Sequence, residues 1–403
     1  MTVFAHERRL RVACARGVTT LLAREVRELG LPVLHEDASG VESTGSVTDA
    51  MRLNLWVRTG QRVLYELDAF QATTADQVYQ RTARVAWEDI IPPDGYLSVT
   101  SFAQTPAIRD ARFLNLKVKD AIVDRLRRVC GRRPDSGAAR TGVVVYVHWV
   151  ERDCRLCLDT SGESLSRRGY RLNPLDAPLQ ESLGAALVLA TGWTGQEPFV
   201  NPMCGSGTLA IEAALLAAGV PPGSLRPSFA FMALHGYATG AWEAARKAAG
   251  PRPPLAAPGR IVATDLRPAA IEAARDNARR AGVLDRIEFA VCDFRETTLP
   301  PGNGVVIFNP EYGARMGTAD ALPETYRAIG DFLKQRAQGY TGHVFTGNLE
   351  LGKQIGLRSS RRLPFFNGPI ECRLLKFDLY AGTHRRFGGD GAGAAASPAG
   401  GAG

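Results

Sequence analysis

Long apolar runs are missing. Nowhere among the 403 residues do about eighteen or more uninterrupted apolar residues occur, so no stretch has the character of a membrane-spanning helix. Met1 to Leu10 carries charges where a secretory signal would carry an apolar core. A cytoplasmic protein without membrane contact is expected. Cysteine is sparse: Cys14, Cys130, Cys154, Cys157, Cys204, Cys292 and Cys372 make an odd set without disulfide-like spacing, which suits a reducing compartment. Cys154 and Cys157 have no companion Cys/His pair at zinc-site spacing. They read as ordinary half-buried thiols, and no metal is expected. Internal repeats are lacking too, as is the dehydrogenase pattern Gly-x-Gly-x-x-Gly.

What is abundant is positive charge. The chain carries a formal net charge of +8, which favours a polyanionic partner, and its 45% hydrophobic content can fill more than one core. Two or three domains are expected. Residues 105–140 hold ten Arg/Lys against four Asp/Glu. A helix from about Arg109 to Val129 places Leu114, Val118, Ala121, Ile122, Leu126 and Val129 on one stripe. Arg109, Arg112, Lys117, Lys119, Arg127 and Arg128 fall off it. With Arg132 and Arg133 beyond, this helix suits phosphate contacts, although a solvated helix face would look the same.

Ahead of it, a strand at Leu10–Ala13 and a helix at Gly17–Leu29 form a first small unit. Strands at Leu97–Phe102, Val143–Trp149 and Arg155–Leu158 accompany the basic helix. From Leu179 onward helices alternate with apolar strands, the pattern of a parallel sheet. Strands are expected at Pro198–Asn201, Arg260–Thr264, Ile287–Val291, Val305–Phe308 and Gly342–Phe345, with a terminal hairpin near Glu371–Tyr380. Gly219 to Gly259 reads as an insertion, and the tail from Gly388 as disordered.

Three features fall at the ends of successive strands. Asn201, Met203, Cys204, Gly205, Ser206, Gly207 and Thr208 lie in a Gly-rich turn that opens a helix at Leu209–Ala218, where backbone N–H groups can approach a cofactor closely. Asp265 ends the next strand, where a carboxylate can accept both ribose hydroxyls of an adenosine. Asp293 follows the third, placed for an adenine amino group. In open α/β sheets such strand ends share one crevice. Phe308-Asn309-Pro310-Glu311-Tyr312-Gly313 ends the fourth strand. A nucleobase amine is a weak nucleophile because its lone pair is delocalised into the ring. The Asn309 side-chain oxygen and the Pro310 carbonyl can each accept one amine N–H and turn that lone pair toward a methyl donor. Tyr312 can stack on the base, which must be flipped or single-stranded to arrive.

These motifs, with Asn54-Leu55-Trp56-Val57-Arg58-Thr59, Leu158 to Leu165, Arg167-Arg168-Gly169-Tyr170-Arg171 and Phe366-Asn367-Gly368, resemble the THUMP-domain RNA methyltransferases. The likeness is to those that make N2-methylguanosine in large-subunit ribosomal RNA, with related members acting on transfer RNA. It runs from about Leu10 to Leu379. It implies an α/β protein with a Rossmann-like class I methyltransferase domain at about 170–383, an N-terminal ferredoxin-like module at 1–70, an RNA-binding THUMP domain at 71–165 and a tail at 384–403. It further implies S-adenosylmethionine as cofactor and RNA as substrate. Two positions depart: the family usually has Asp at Asn201 and Pro at Glu311. A carboxylate at Glu311 could accept from N1–H of guanine, or it could simply face solvent. Adenine-N6 methylation follows the same amine-holding logic and is one alternative. A degenerate methyltransferase kept as an RNA-binding or assembly factor is the other.

Overall fold

The computed structural model describes residues 6–171, 179–248, 258–313 and 321–380; the tail from Gly388 and the expected domain end at 383 lie outside the described residues. Two sheets organise the chain. The first is built from β1 (Arg8–Cys14), α1 (Thr19–Glu28), β2 (His35–Asp37), β3 (Gly40–Gly45), α2 (Val47–Trp56), β4 (Gly60–Gln71), α3 (Ala75–Thr82), β5 (Tyr96–Gln104), α4 (Ala111–Cys130), β6 (Asp135–Ser136), β7 (Val143–Val150) and β8 (Asp153–Asp159). Its order is β2-β3-β1-β4-β8-β7-β5-β6. The long strand β4 makes it continuous: Gly60 to Tyr65 pair with β1, while Leu64 to Gln71 pair with β8. The two N-terminal modules therefore share one eight-stranded sheet.

Local sequence explains these elements. Leu10, Val12 and Cys14 alternate into the core along β1, and Arg9 and Arg11 on its other face reach Glu42 at 3.1 and 3.5 Å. The Ser46 hydroxyl accepts from Asp49 N–H while the Asp49 carboxylate accepts from Ser46 N–H, a reciprocal cap that starts α2. Asp110 caps α4, and Gly131 ends it in the left-handed region, φ +67°. The expected stripe of α4 is buried except at its end: Val129 is 51% exposed, because the whole last turn from Arg127 to Cys130 faces solvent, and Val123 is buried as well. Cys154 and Cys157 are fully buried rather than half-buried, which pushes both thiols up, Cys154 to about 12. Among the described residues no three His, Cys, Asp or Glu gather closely enough for a metal ion, and no helix is long and apolar enough to cross a membrane.

The second sheet follows α5 (Glu181–Ala190). It comprises β9 (Phe199–Pro202), α6 (Thr208–Ala217), α7 (Thr239–Ala248), β10 (Ile261–Asp265), α8 (Pro268–Arg280), β11 (Ile287–Val291), β12 (Val305–Phe308), α9 (Leu322–Arg336), β13 (Thr341–Thr346), α10 (Leu349–Gln354), β14 (Arg361–Asn367) and β15 (Ile370–Asp378). The order is β11-β10-β9-β12-β13-β15-β14, with β11 through β13 parallel. The chain proceeds outward from β9 in one direction, then returns to β12 on its other side. That reversal is the topological switch point, where such sheets open a crevice. The terminal hairpin is longer than expected, since Arg361–Asn367 forms its first strand. Pro364 and two arginines conceal β14 in the sequence. All three are tolerated because the strand lies at the sheet edge.

The two sheets are locked together. One apolar cluster extends from Leu10 through the α5, α6 and α8 face to Leu374, and a second fills the α9 side. Arg168, 1% exposed, donates to the carbonyls of Leu165 and Arg58 and pairs with Glu212 of α6 at 3.4 Å; the Tyr170 hydroxyl donates to the same carboxylate at 3.1 Å. From β4's approach, Arg58 donates to the Val220 carbonyl at 2.8 Å. Buried guanidinium groups spend their donors on backbone oxygens of both bodies, and this fixes how the bodies meet.

Candidate active site

A cleft of roughly 590 Å³ opens at the carboxyl ends of β9, β10 and β12. It is lined by Asn201, Met203, Cys204, Gly205, Ser206, Thr208, Asp265, Asp293, Asn309, Pro310, Glu311 and Tyr312. Of the expected cofactor residues only Gly207 is not on its wall. Its φ of +83° turns the chain into α6, and an added Cβ would lie 2.9 Å from Ala274 Cβ. Arg109, Arg112, Lys117 and Lys119 lie in the first body and do not line the cleft.

On one side the wall is backbone held by backbone. Cys204 N–H donates to Thr264 O at 2.9 Å, Gly207 N–H to Cys204 O at 2.9 Å, and Gly205 N–H to the Asp265 carboxylate at 2.9 Å. Met203 takes φ +56°, a strained conformation for a side-chain-bearing residue. Nothing lies within 4 Å of a Cβ placed on Gly205, so the loop presents open backbone to the cleft. Asp265 Oδ1 also accepts Arg267 N–H at 3.0 Å and faces Arg267 Nε at 3.5 Å, while Oδ2, which accepts from Gly205 N–H, retains a lone pair. Asn201 donates to Ile307 O at 3.0 Å, which fixes the amide orientation and leaves its Oδ1 buried without a partner among the described residues. Asp293 accepts from Arg295 Nε and Nη2 at 2.9 and 2.6 Å, and this guanidinium holds its carboxyl below the usual range.

The opposite side is held by side chains. Asn309 Oδ1 is buried with no hydrogen-bond partner among the described residues. Glu311 is exposed, and its carbonyl accepts from the buried Tyr326 hydroxyl at 3.3 Å. Tyr312 is half-buried, its ring edge-on to Phe345 with centroids 6.1 Å apart, and burial pushes its phenol up to about 12. Asn367 Nδ2 donates to the Tyr312 hydroxyl at 2.9 Å. Sequence reasoning assigned no role to Asn367, Arg267, Arg295, Leu266, Phe294, Thr325 or Ile370, all of which line the cleft. In the sequence, Phe366-Asn367-Gly368 stands out only as part of the family likeness.

Family models match three consecutive stretches: an RlmL ferredoxin-like domain over residues 9–64, a THUMP domain over 72–159 and an RMKL-like methyltransferase domain over 168–376. The chain belongs to the RMKL-like methyltransferases. This RMKL-like methyltransferase is 36% identical over 368 residues to a Synechocystis protein described as an RNA methyltransferase, covering 91% of this chain and 95% of that one. It is 38% identical over 386 residues to the ribosomal RNA large subunit methyltransferase K/L of Syntrophotalea carbinolica, covering 93% of this chain but 54% of the relative. The chain thus spans about half the length of the K/L relatives it matches. A solved structure described as a methyltransferase complexed with SAH superposes with a TM-score of 0.84 at 25% identity, covering 94% of this chain and 99% of that one. The RMKL-like methyltransferases depend on S-adenosylmethionine, and the residues here fit that cofactor. The open Gly205 backbone, the orphaned Asn201 oxygen and the Asp265 carboxylate are the acceptors and clearance that an amino-acid moiety joined to an adenosine needs.

Proposed function

We propose that this protein methylates the exocyclic N2 amine of a guanine in RNA, with large-subunit ribosomal RNA as the substrate. The observation that carries the proposal is Asn309 Oδ1, a buried acceptor left unpaired at the end of β12 in the wall of the cleft. Burying an acceptor without a partner costs about 1–3 kcal/mol, so the group makes sense when a donor arrives from a substrate. Asn309 Oδ1 and the Pro310 carbonyl take the two amine N–H bonds and orient the nitrogen lone pair. Tyr312 stacks on the base, and Glu311 meets it at the mouth. S-adenosylmethionine, when bound, supplies an electrophilic sulfonium methyl. Asn201, Gly205 and Asp265 hold it, with Asp293 at the far end. Metal assistance has no place in this set of groups, because the amine needs orientation rather than deprotonation before attack.

The first body supplies RNA affinity. Arg127, Arg128, Arg132 and Arg133 are exposed at the end of α4 and form no salt bridge among the described residues, whereas Arg112 and Lys117 pair with Asp110 and Asp76 at 2.8 and 2.9 Å. The names of the K/L relatives support ribosomal RNA over transfer RNA. The test is to incubate the protein with labelled S-adenosylmethionine and unmodified ribosomal or transfer RNA, digest to nucleosides and identify the product. N2-methylguanosine from ribosomal RNA is expected. Label in N6-methyladenosine, or only in transfer RNA, overturns the corresponding part of the proposal.

A further inference from the structure

The loop bearing Asn309 to Tyr312 follows β12, yet among the described residues the side-chain hydrogen bond at its outer end comes from far along the chain. The Tyr312 hydroxyl is tied to Asn367, 55 residues later. Asn367 ends β14, and the tight turn to β15 puts Gly368 in the left-handed region at φ +60°. Both Tyr312 and Asn367 line the cleft, so their bond lies at its wall.

Two further contacts make Asn367 a stationary anchor. The Arg16 guanidinium sits over the Phe366 ring, 5.2 Å from its centroid. Gly17, at φ +84°, packs so closely on β14 that an added Cβ would lie 2.2 Å from Pro364 O. The loop between β1 and α1 thus grips the strand from the first body, and the residue next to Asn367 is among those gripped. On the other side the Tyr312 ring is pressed against the chain at Gly347, where an added Cβ would lie 2.8 Å from Cδ2 of the ring. The ring is confined on one face, and its hydroxyl is fixed at the tip. The remaining freedom, a swing of the ring's tip toward the cleft, is what the Asn367 hydrogen bond removes, while packing against Gly347 and Phe345 limits rotation about the Cβ–Cγ bond.

We infer that Asn367 is a positioning residue for methyl transfer: by donating to the Tyr312 hydroxyl it holds in place the tip of the ring on which the target base stacks. The inference rests on the proposed stacking role of Tyr312. The hydroxyl itself is engaged with the anchor and so acts neither as acid nor as base. Correct placement of the base relative to Asn309 Oδ1 decides the rate, because a nucleophile displaced from its approach line reacts slowly even when bound. RNA affinity, arising from the first body, is not involved.

A double-mutant cycle tests this. Asn367→Ala and Tyr312→Phe both remove this bond, the latter together with the hydroxyl's contact with Cys372, so loss of folding in one leaves the other to report. Single-turnover rates at saturating S-adenosylmethionine and RNA are expected to fall about five- to tenfold in each, the worth of one hydrogen bond. The double variant should be no slower than either single variant. KM for RNA and the melting temperature should stay at wild-type values, which a merely structural role would not allow. Multiplying losses in the double variant, or a wild-type rate in Asn367→Ala, overturns the inference. Tyr312→Ala separates the two levels. A wild-type rate there removes the stacking role and the inference with it, whereas a slow Tyr312→Ala beside a fast Asn367→Ala removes the inference alone.

Discussion

The two halves of the cleft are built differently. On the half proposed to hold the cofactor, the turn from Pro202 to Gly207 follows β9 and is held by a backbone hydrogen bond to Thr264 and by one carboxylate, Asp265, of the adjacent β10. On the base half, the loop from Asn309 to Tyr312 is held by Tyr326 of α9 and by Asn367 of the terminal hairpin. Backbone-made walls tolerate changes of side chain and bind a ligand common to many enzymes. Side-chain-made walls can be re-aimed by single substitutions, which suits the half that distinguishes one base from another.

Several measurements would sharpen or break this contrast. The largest effect expected is acid sensitivity on the base side. Burial of His343 in β13, next to β12, pushes its ring from the ordinary 6.5 down to about 4. A depressed histidine leaves stability intact above pH 6.5 and erodes it as pH falls, by about 3 kcal/mol at pH 4. Urea unfolding at pH 7 and pH 4 should show that loss in the wild type and a smaller one in His343→Leu; equal losses would refute it. Next, Asp265→Ala should weaken S-adenosylmethionine binding by on the order of 2–3 kcal/mol, since a charged acceptor and the anchor of Gly205 N–H disappear together. Unchanged affinity in calorimetry would mean that the cofactor half has been placed wrongly. The smallest effect belongs to Glu311. An exposed carboxylate is screened by water, so Glu311→Gln should alter the preference for guanine over adenine by about 1 kcal/mol or less. A larger loss, read from competing RNAs, would make Glu311 a true reader of guanine N1–H.

This difference in construction also governs what could be read from the sequence. That the Gly-rich turn and Asp265 would meet at one cleft was legible, because it takes only a contiguous turn and an acid at the next strand end. Val305–Phe308 is readable to the residue because a fully buried parallel strand is a short, uninterrupted apolar run, whereas the edge strand Ile287–Val291 is marked by apolar residues alternating with the exposed Glu288. The region between Leu31 and Thr82 was not resolved into elements. In β3 the buried Glu42 and Ser43 break the apolar alternation, and Glu42 is compensated by Arg9, Arg11 and Arg155 from two other strands. Likewise Asn367 carried no signal of its role, because its partner is remote in sequence and the strand presenting it reads as polar. Sharing of β4 between two modules was equally hidden, since the boundary at residue 70 that the family resemblance implies assigns the strand to one module.

The central claim is that the unpaired Asn309 oxygen orients an exocyclic amine for methyl transfer. Single-turnover methylation of unmodified ribosomal RNA by Asn309→Ala, at saturating S-adenosylmethionine, tests it most directly. A rate lower by about a hundredfold or more, with RNA and cofactor affinities unchanged, is the result expected of a group that acts mainly in the transition state. A near-normal rate in that variant would contradict the account.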